Sequence, residues 1–223
     1  VKLFRSNGVH CVVDGQYGST GKGALAAYLA EQAFQDKHYF SGSIYSGGPN
    51  SGHTCYFGDD KIVLKQLPTF AVYSSLRGVI MPVYLSAGAV IDRDILKKEA
   101  DMYPRIPIFV HPNAVIVTDE DRKAEETGSI AAVAGTRSGT GEALVRKIRR
   151  EPNALAGASL GLLAHNISVQ NHRLKPEQNC YFMEVAQGFS LGINSHFYPK
   201  VTSRECTVMQ GLSDARIAPR HLS

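Results

Sequence analysis

The stretch that most constrains this chain is a short apolar run, Val9-His10-Cys11-Val12-Val13, which stops at Asp14-Gly15. It passes through Gly15-Gln16-Tyr17-Gly18-Ser19-Thr20-Gly21-Lys22-Gly23 into a segment of good helix formers. A buried strand, a glycine-rich turn and a helix make the first unit of a parallel sheet, because a parallel partner strand needs a crossover to bring the chain back. The spacing predicts a helix over residues 22–35, with Leu25, Leu29 and Ala33 at four-residue intervals.

The alternation continues. Residues 79–85 and 106–110 read as strands, although Pro82 and Pro107 argue for irregularity or an edge position. Residues 114–118 make a cleaner strand and 180–185 another core strand, while 92–102 and 141–149 read as helices. No repeat, low-complexity tract or linker interrupts the pattern. The expected class is α/β, a mostly parallel central sheet flanked by helices, arranged as one domain over residues 1–223.

Composition narrows the partners. A chain of 223 residues buries a sizeable core without a metal or disulfide staple. The net charge of +4 suits a small phosphorylated ligand. Its one basic cluster, Arg146-Lys147-Ile148-Arg149-Arg150, is not the stripe that a nucleic-acid surface needs. The four cysteines are far apart and form no Cys-x-x-Cys pair, which argues against structural zinc. Cys11, inside the first strand pattern, reads as a buried free thiol. Reduced cysteines, the lack of a signal peptide and the lack of a bilayer-length apolar run together predict a cytoplasmic protein without a membrane partner.

A glycine-rich turn at a helix N-terminus presents backbone N–H groups and the positive end of the helix dipole, and both favour phosphate. Lys22 adds a full charge. The spacing is not that of a standard P-loop, since five residues separate Gly15 from Gly21 and Gly23 follows the lysine. From the residues alone, a phosphate loop and a plain tight turn with a surface lysine both remain open. A second glycine-rich stretch, Gly47-Gly48-Pro49-Asn50-Ser51-Gly52-His53-Thr54, gathers three different polar side chains at positions 50, 53 and 54.

Taken together, the two loops resemble those of adenylosuccinate synthetases. That family carries Gly-Asp-Glu-Gly-Lys-Gly and Asn-Ala-Gly-His-Thr where this chain has Gly18-Ser19-Thr20-Gly21-Lys22-Gly23 and Asn50-Ser51-Gly52-His53-Thr54. Two further blocks are similar: Gly135-Thr136-Arg137-Ser138-Gly139-Thr140-Gly141, and Glu184-Val185-Ala186-Gln187-Gly188 followed by Tyr198-Pro199-Lys200-Val201-Thr202-Ser203. The blocks keep the family's order from residue 15 to 203.

The resemblance implies a P-loop NTPase-like synthetase fold and a two-step ligase reaction. A triphosphate's γ-phosphoryl group passes to the purine O6, and the amine of L-aspartate then displaces phosphate from C6. It implies that Thr20, Gly21, Lys22, Gly23, Gly52, His53 and Thr54 meet the triphosphate, with Ser19, His53 and Lys22 at the catalytic positions. It also implies that Ser19, Asn50, Ser51, Thr136, Arg150, Gln187 and Thr202 meet the purine monophosphate. Arg150 corresponds to an arginine that reaches the neighbouring subunit's substrate, which implies a homodimer. The implied cofactor is Mg2+, with the Gly52 carbonyl and position 19 as its ligands and ATP as co-substrate.

Position 19 departs from the pattern. Where the family carries an Asp that takes the purine N1 proton and ligands magnesium, this chain has Ser19, whose hydroxyl is too weak an acid to serve alone as base. A small hydroxyl beside N1 leaves room for a 2-amino group and can accept its hydrogen bond. The chain therefore resembles the phage-associated 2-aminoadenylosuccinate synthetase branch, which joins dGMP to aspartate with ATP on the way to 2-aminoadenine. The alternatives are an ordinary synthetase using IMP and GTP, a nucleotide kinase, and a non-catalytic nucleotide-binding module. Family members continue well past the Val-Thr-Ser block, so the aspartate-binding residues are expected outside these 223 residues.

Overall fold

In the computed structural model, which describes residues 3–127, 133, 135–161 and 163–223, the first apolar run is strand β1 (Gly8–Val12) and the predicted helix is α1 (Lys22–Gln35). There follow β2 (Gly42–Ser46), the hairpin β3 (His53–Phe57) and β4 (Asp60–Leu64), and α2 (Thr69–Leu76). Then come β5 (Val83–Leu85), β6 (Val90–Ile91), α3 (Arg93–Met102), β7 (Ile108–Val110), β8 (Val115–Ile116) and α4 (Asp119–Thr127). The last elements are α5 (Thr140–Ile148), α6 (Ala156–Ser159), β9 (Ile167–Val169), β10 (Cys180–Val185) and α7 (Val208–Asp214).

Among the described residues, six strands form an all-parallel sheet in the order β1-β10-β2-β5-β7-β9. Every residue of β2 and β10 is buried, as expected of interior strands covered on both faces. Along β10 the side chains alternate. Cys180 and Phe182 enter the core beneath α1 and α2, while Tyr181, Met183 and Val185 enter the smaller core beneath α7. Phe182 stacks on Phe70 of α2 with ring centroids 3.9 Å apart. Burial of each ring contributes about 1.5–3 kcal/mol.

Several expectations change. The segments over 79–85 and 106–110 shorten to β5 and β7, and both are interior strands rather than edges. Pro82 and Pro107 sit immediately before each strand, where no ladder donor is needed. Their carbonyls still accept from Ser43 N–H at 2.9 Å and Val83 N–H at 2.8 Å. The strand expected over 114–118 is the two-residue β8, which pairs with β6 away from the main sheet. Helix α1 buries Gly23, Ala26, Ala27, Ala30 and Ala33, while Leu25 points to solvent and Leu29 is half-buried. A stripe of small side chains lets the helix lie close to α2 and β3. Cys11 is half-buried rather than buried, and all four cysteines are free.

β1, β10 and β2 are parallel neighbours, so their C-terminal ends open on one edge of the sheet. The chain after each strand is delivered to that edge: residues 14–23, 186–190 and 47–52. In open α/β sheets ligands bind in the crevice outside these carboxyl ends.

Candidate active site

The glycine-rich loop turns sharply, with Gly18, Ser19 and Gly21 at φ 83°, 56° and 94°. The left-handed region costs a non-glycine residue about 1–2 kcal/mol, and strain of this kind gathers at ligand sites. Gly21 precedes α1 without any side-chain cap, so no side chain blocks the first-turn N–H groups. Lys22 leans across the loop. Its Nζ donates to the Gln187 carbonyl and lies 3.5 Å from Asp14 Oδ2.

Three segments meet here backbone to backbone. A Cβ on Gly23 would lie 2.6 Å from the Thr54 carbonyl oxygen, so the start of α1 touches β3 directly. A Cβ on Gly188 would lie 2.3 Å from Gly18 N. Phe189 N–H donates to the Asp14 carbonyl and Ser190 N–H to that of Gln16, both at 2.8 Å. Gln187, itself at φ 65°, donates from Nε2 to the Asn50 carbonyl at 3.2 Å. Asn50 Nδ2 in turn donates to Thr202 Oγ1 at 3.3 Å. Asn50, Thr136, Ser138, Gln187, Lys200 and Thr202 line a cavity of about 220 Å³. Residues far apart in the sequence thus form a chain of contacts from Lys22 to Thr202.

His53 and Thr54 begin strand β3 rather than ending a loop, and alternation turns the His53 ring inward while Thr54 faces out. His53 is 2% exposed; its Nε2 lies 3.1 Å from the Tyr45 hydroxyl and its Nδ1 3.7 Å from Glu184 Oε2. Burial pushes the Glu184 carboxyl up to about 7. Burial, helped by the nearby Lys22 ammonium, pulls the His53 imidazole down to about 4. The imidazole is therefore neutral near pH 7, with the carboxyl poised beside it. Ser51 is also turned inward, its hydroxyl 2.8 Å from that of Tyr45 and donating to the Gly48 carbonyl at 2.8 Å.

The other predicted residues are placed as follows. Ser19, Thr20, Gly21 and Gly52 are exposed at the mouth. Thr136 belongs to a run of hydroxyls, 3.1 Å from Ser138 Oγ, which is 2.9 Å from Thr140 Oγ1. Helix α5 does not offer its N-terminus freely, since the buried Glu125 carboxylate accepts from Gly139 N–H and Gly141 N–H at 2.7 Å each. An anion arriving there meets hydroxyls first. Arg150, at φ 61°, is exposed beyond the end of α5 and is not part of the cavity wall.

Sequence reasoning missed Asp14, Tyr45, Glu125 and Glu184. An acidic residue inside the apolar run Cys-Tyr-Phe-Met-Glu-Val was a usable sign for Glu184, because a buried charge needs a partner. Asp14 is 2% exposed. Burial alone would raise its carboxyl, but the Thr20 hydroxyl, the Gln16 N–H and the Lys22 ammonium hold it below the usual range.

Residues 11–165 match the protein-family model of adenylosuccinate synthetase. The N6-succino-2-amino-2'-deoxyadenylate synthase of Vibrio phage phiVC8 is 32% identical, across 94% of this chain and 62% of its own length. The protein of the same name from Cyanophage S-2L is 35% identical, across 95% of this chain and 58% of its length. The solved structure of the Cyanophage S-2L succinoaminodeoxyadenylate synthetase (PurZ) bound to dGMP and dATP superposes with a TM-score of 0.82 at 34% identity, covering 96% of this chain and 61% of that one. This chain spans about three fifths of the length of these relatives.

Proposed function

The chain belongs to the adenylosuccinate synthetase family, and from that premise we propose that it serves a C–N bond-forming ligase joining dGMP to L-aspartate, with ATP as phosphoryl donor and 2-amino-2'-deoxy-N6-succinyl-AMP as product. The phage relatives named as N6-succino-2-amino-2'-deoxyadenylate synthases support this reading. So does the dGMP and dATP bound by the similar synthetase. The observation that carries it is the convergence of the Lys22, Asn50 and Gln187 segments on one edge of the sheet, joined by direct hydrogen bonds. One nucleotide pair can then sit between them.

In this mechanism the γ-phosphoryl group leaves the triphosphate for the purine O6, releasing the diphosphate, while the N1 proton passes to water. The aspartate amine then attacks C6 and phosphate departs with the oxygen. Catalysis of the first step is positioning and charge neutralisation. Lys22 and the N–H groups of the 19–23 turn hold triphosphate oxygens. Asn50, Thr136 and Thr202 hold the monophosphate, and Gln187 lies beside the base. Ser19 faces the 2-amino group and accepts its hydrogen bond. His53 hydrogen-bonds the transferring group, for which its ring leaves the inward position on Tyr45.

Magnesium fits the donors at the mouth, because the Ser19 hydroxyl and Gly52 carbonyl are hard oxygens on exposed residues. When bound it neutralises charge on the phosphates. Arg150, exposed beyond α5, is suited to reach a second copy in a homodimer.

Steady-state assays on the full-length protein, with dGMP and with IMP, each with aspartate and ATP, test the proposal. Preference for dGMP is expected. Preference for IMP overturns the specificity, and nucleoside diphosphate formed without aspartate would instead indicate a kinase.

A further inference from the structure

The Ser19 and Gly52 oxygens carry no full negative charge, yet a magnesium ion on a triphosphate usually keeps one or two protein carboxylates. Among the described residues no group of three or more His, Cys, Asp or Glu side chains gathers to hold a metal. A cation here needs phosphate oxygens for most of its shell and one well-placed carboxylate from the chain.

Asp14 has that placement. It ends β1 directly before the phosphate loop, is 2% exposed, and touches the loop at three points. Its Oδ1 accepts from Gln16 N–H at 2.7 Å, and its Oδ2 accepts from the Thr20 hydroxyl and lies 3.5 Å from Lys22 Nζ. The other nearby carboxylate, Glu184, faces away from the loop, its Oε1 accepting from Phe70 N–H and its Oε2 lying 3.7 Å from His53 Nδ1. A bare carboxylate beside a triphosphate is repulsive, and one lysine cannot neutralise both. A divalent cation removes the conflict. A loop hydroxyl backed by a strand-end carboxylate is also the pair that holds magnesium in P-loop enzymes.

We propose that Asp14 Oδ2 and Thr20 Oγ1, together with triphosphate oxygens, complete the divalent-cation seat that the Ser19 and Gly52 oxygens leave without a charge, and that Lys22 passes from Asp14 to the phosphates when the metal–nucleotide enters. The proposal rests on the triphosphate reading of this loop, and it gives a function to a buried carboxylate in contact with Lys22.

Calorimetric binding of a non-hydrolysable ATP analogue, with and without Mg2+, tests it on wild type, Asp14→Asn and Thr20→Val, with thermal melts to check folding. In wild type, Mg2+ tightens binding. In Asp14→Asn the metal-free analogue binds at least as tightly as to wild type, because a repulsive charge is gone. The gain from Mg2+ falls by about 10- to 100-fold. Thr20→Val, at an exposed position, loses part of the same gain and carries the test if Asp14→Asn does not fold. An undiminished Mg2+ gain in a folded variant overturns the proposal. So does an equal loss with and without Mg2+, which is the mark of a loop-shaping residue. If wild type binds no analogue under either condition, the triphosphate reading itself falls, and this result is distinct from a variant that binds but keeps its Mg2+ gain.

Discussion

Gly23→Ala would test the contact on which the site is built. The new Cβ would meet the Thr54 carbonyl oxygen at 2.6 Å, its nitrogen at 2.7 Å and its carbonyl carbon at 3.0 Å. Ordinary contact begins near 3.4 Å, so the two segments must part by roughly half an ångström or more. Neither side yields cheaply. Thr54 is paired with Val63 in the β3–β4 hairpin, and Gly23 lies in the first turn of α1, where Leu25 N–H donates to the Gly21 carbonyl at 2.9 Å. Overpacking of this kind costs about 1–3 kcal/mol, while alanine's better helix propensity returns about 1 kcal/mol. The net loss of stability in urea unfolding should therefore be at most about 2 kcal/mol. Function is more sensitive, because a shift near 1 Å in a positioned group can cost about 100-fold. The expected result is a modestly destabilised protein whose triphosphate affinity or turnover falls at least about tenfold. Unchanged stability together with unchanged nucleotide affinity would refute the direct contact between the two loops.

Glu184→Gln should flatten the pH dependence of stability. The fold raises this carboxyl from its ordinary value of 4.5 to about 7, so wild type loses stability as pH rises through that window, by about 3 kcal/mol when complete. His53, held down to about 4, adds an opposite loss as pH falls from 6.5 toward that value. The amide keeps an acceptor for Phe70 N–H. Urea midpoints measured from about pH 5 to 8 check this, and an unaltered slope in the variant would contradict it. In the full-length protein, Ser19→Asp should lower dGMP turnover relative to IMP by at least about tenfold, through crowding at the 2-amino group. Equal or better dGMP turnover would defeat the steric account. His53→Ala should reduce phosphoryl transfer by at least about 100-fold while leaving nucleotide binding largely intact, and near-wild-type turnover would end its catalytic assignment.

Elements whose cause is local are legible along the chain. An apolar run, glycines at the left-handed positions 18 and 21, and a window of good helix formers specify β1, the phosphate loop and α1, whose bounds match the expected 22–35. The apolar run of β10 and the Asp92 cap, which accepts from Asp94 N–H and Ile95 N–H at 3.1 Å each, are local in the same way. The four-residue spacing in α1 could not choose between the leucine and alanine faces. Only the close approach of α2 and β3 selects the small one. The prolines at 82 and 107 argue for irregularity or an edge, but a strand's place in the sheet depends on which partners lie beside it, and each proline falls one residue before its strand begins.

The same division runs through the site. Loop chemistry at Lys22 and Asn50 is visible in short windows. The inward turn of His53 depends on pairing with a hairpin partner, and its neighbours Tyr45 and Glu184 come from other strands. Glu125 closes the start of α5 from a different helix. Asp14 takes its meaning from a loop that folds back onto it. Backbone preferences act over a few residues and can be read along the chain. Burial, charge pairing and proton affinity are set by the groups that folding brings within a few ångströms of one another, whatever their distance along the chain.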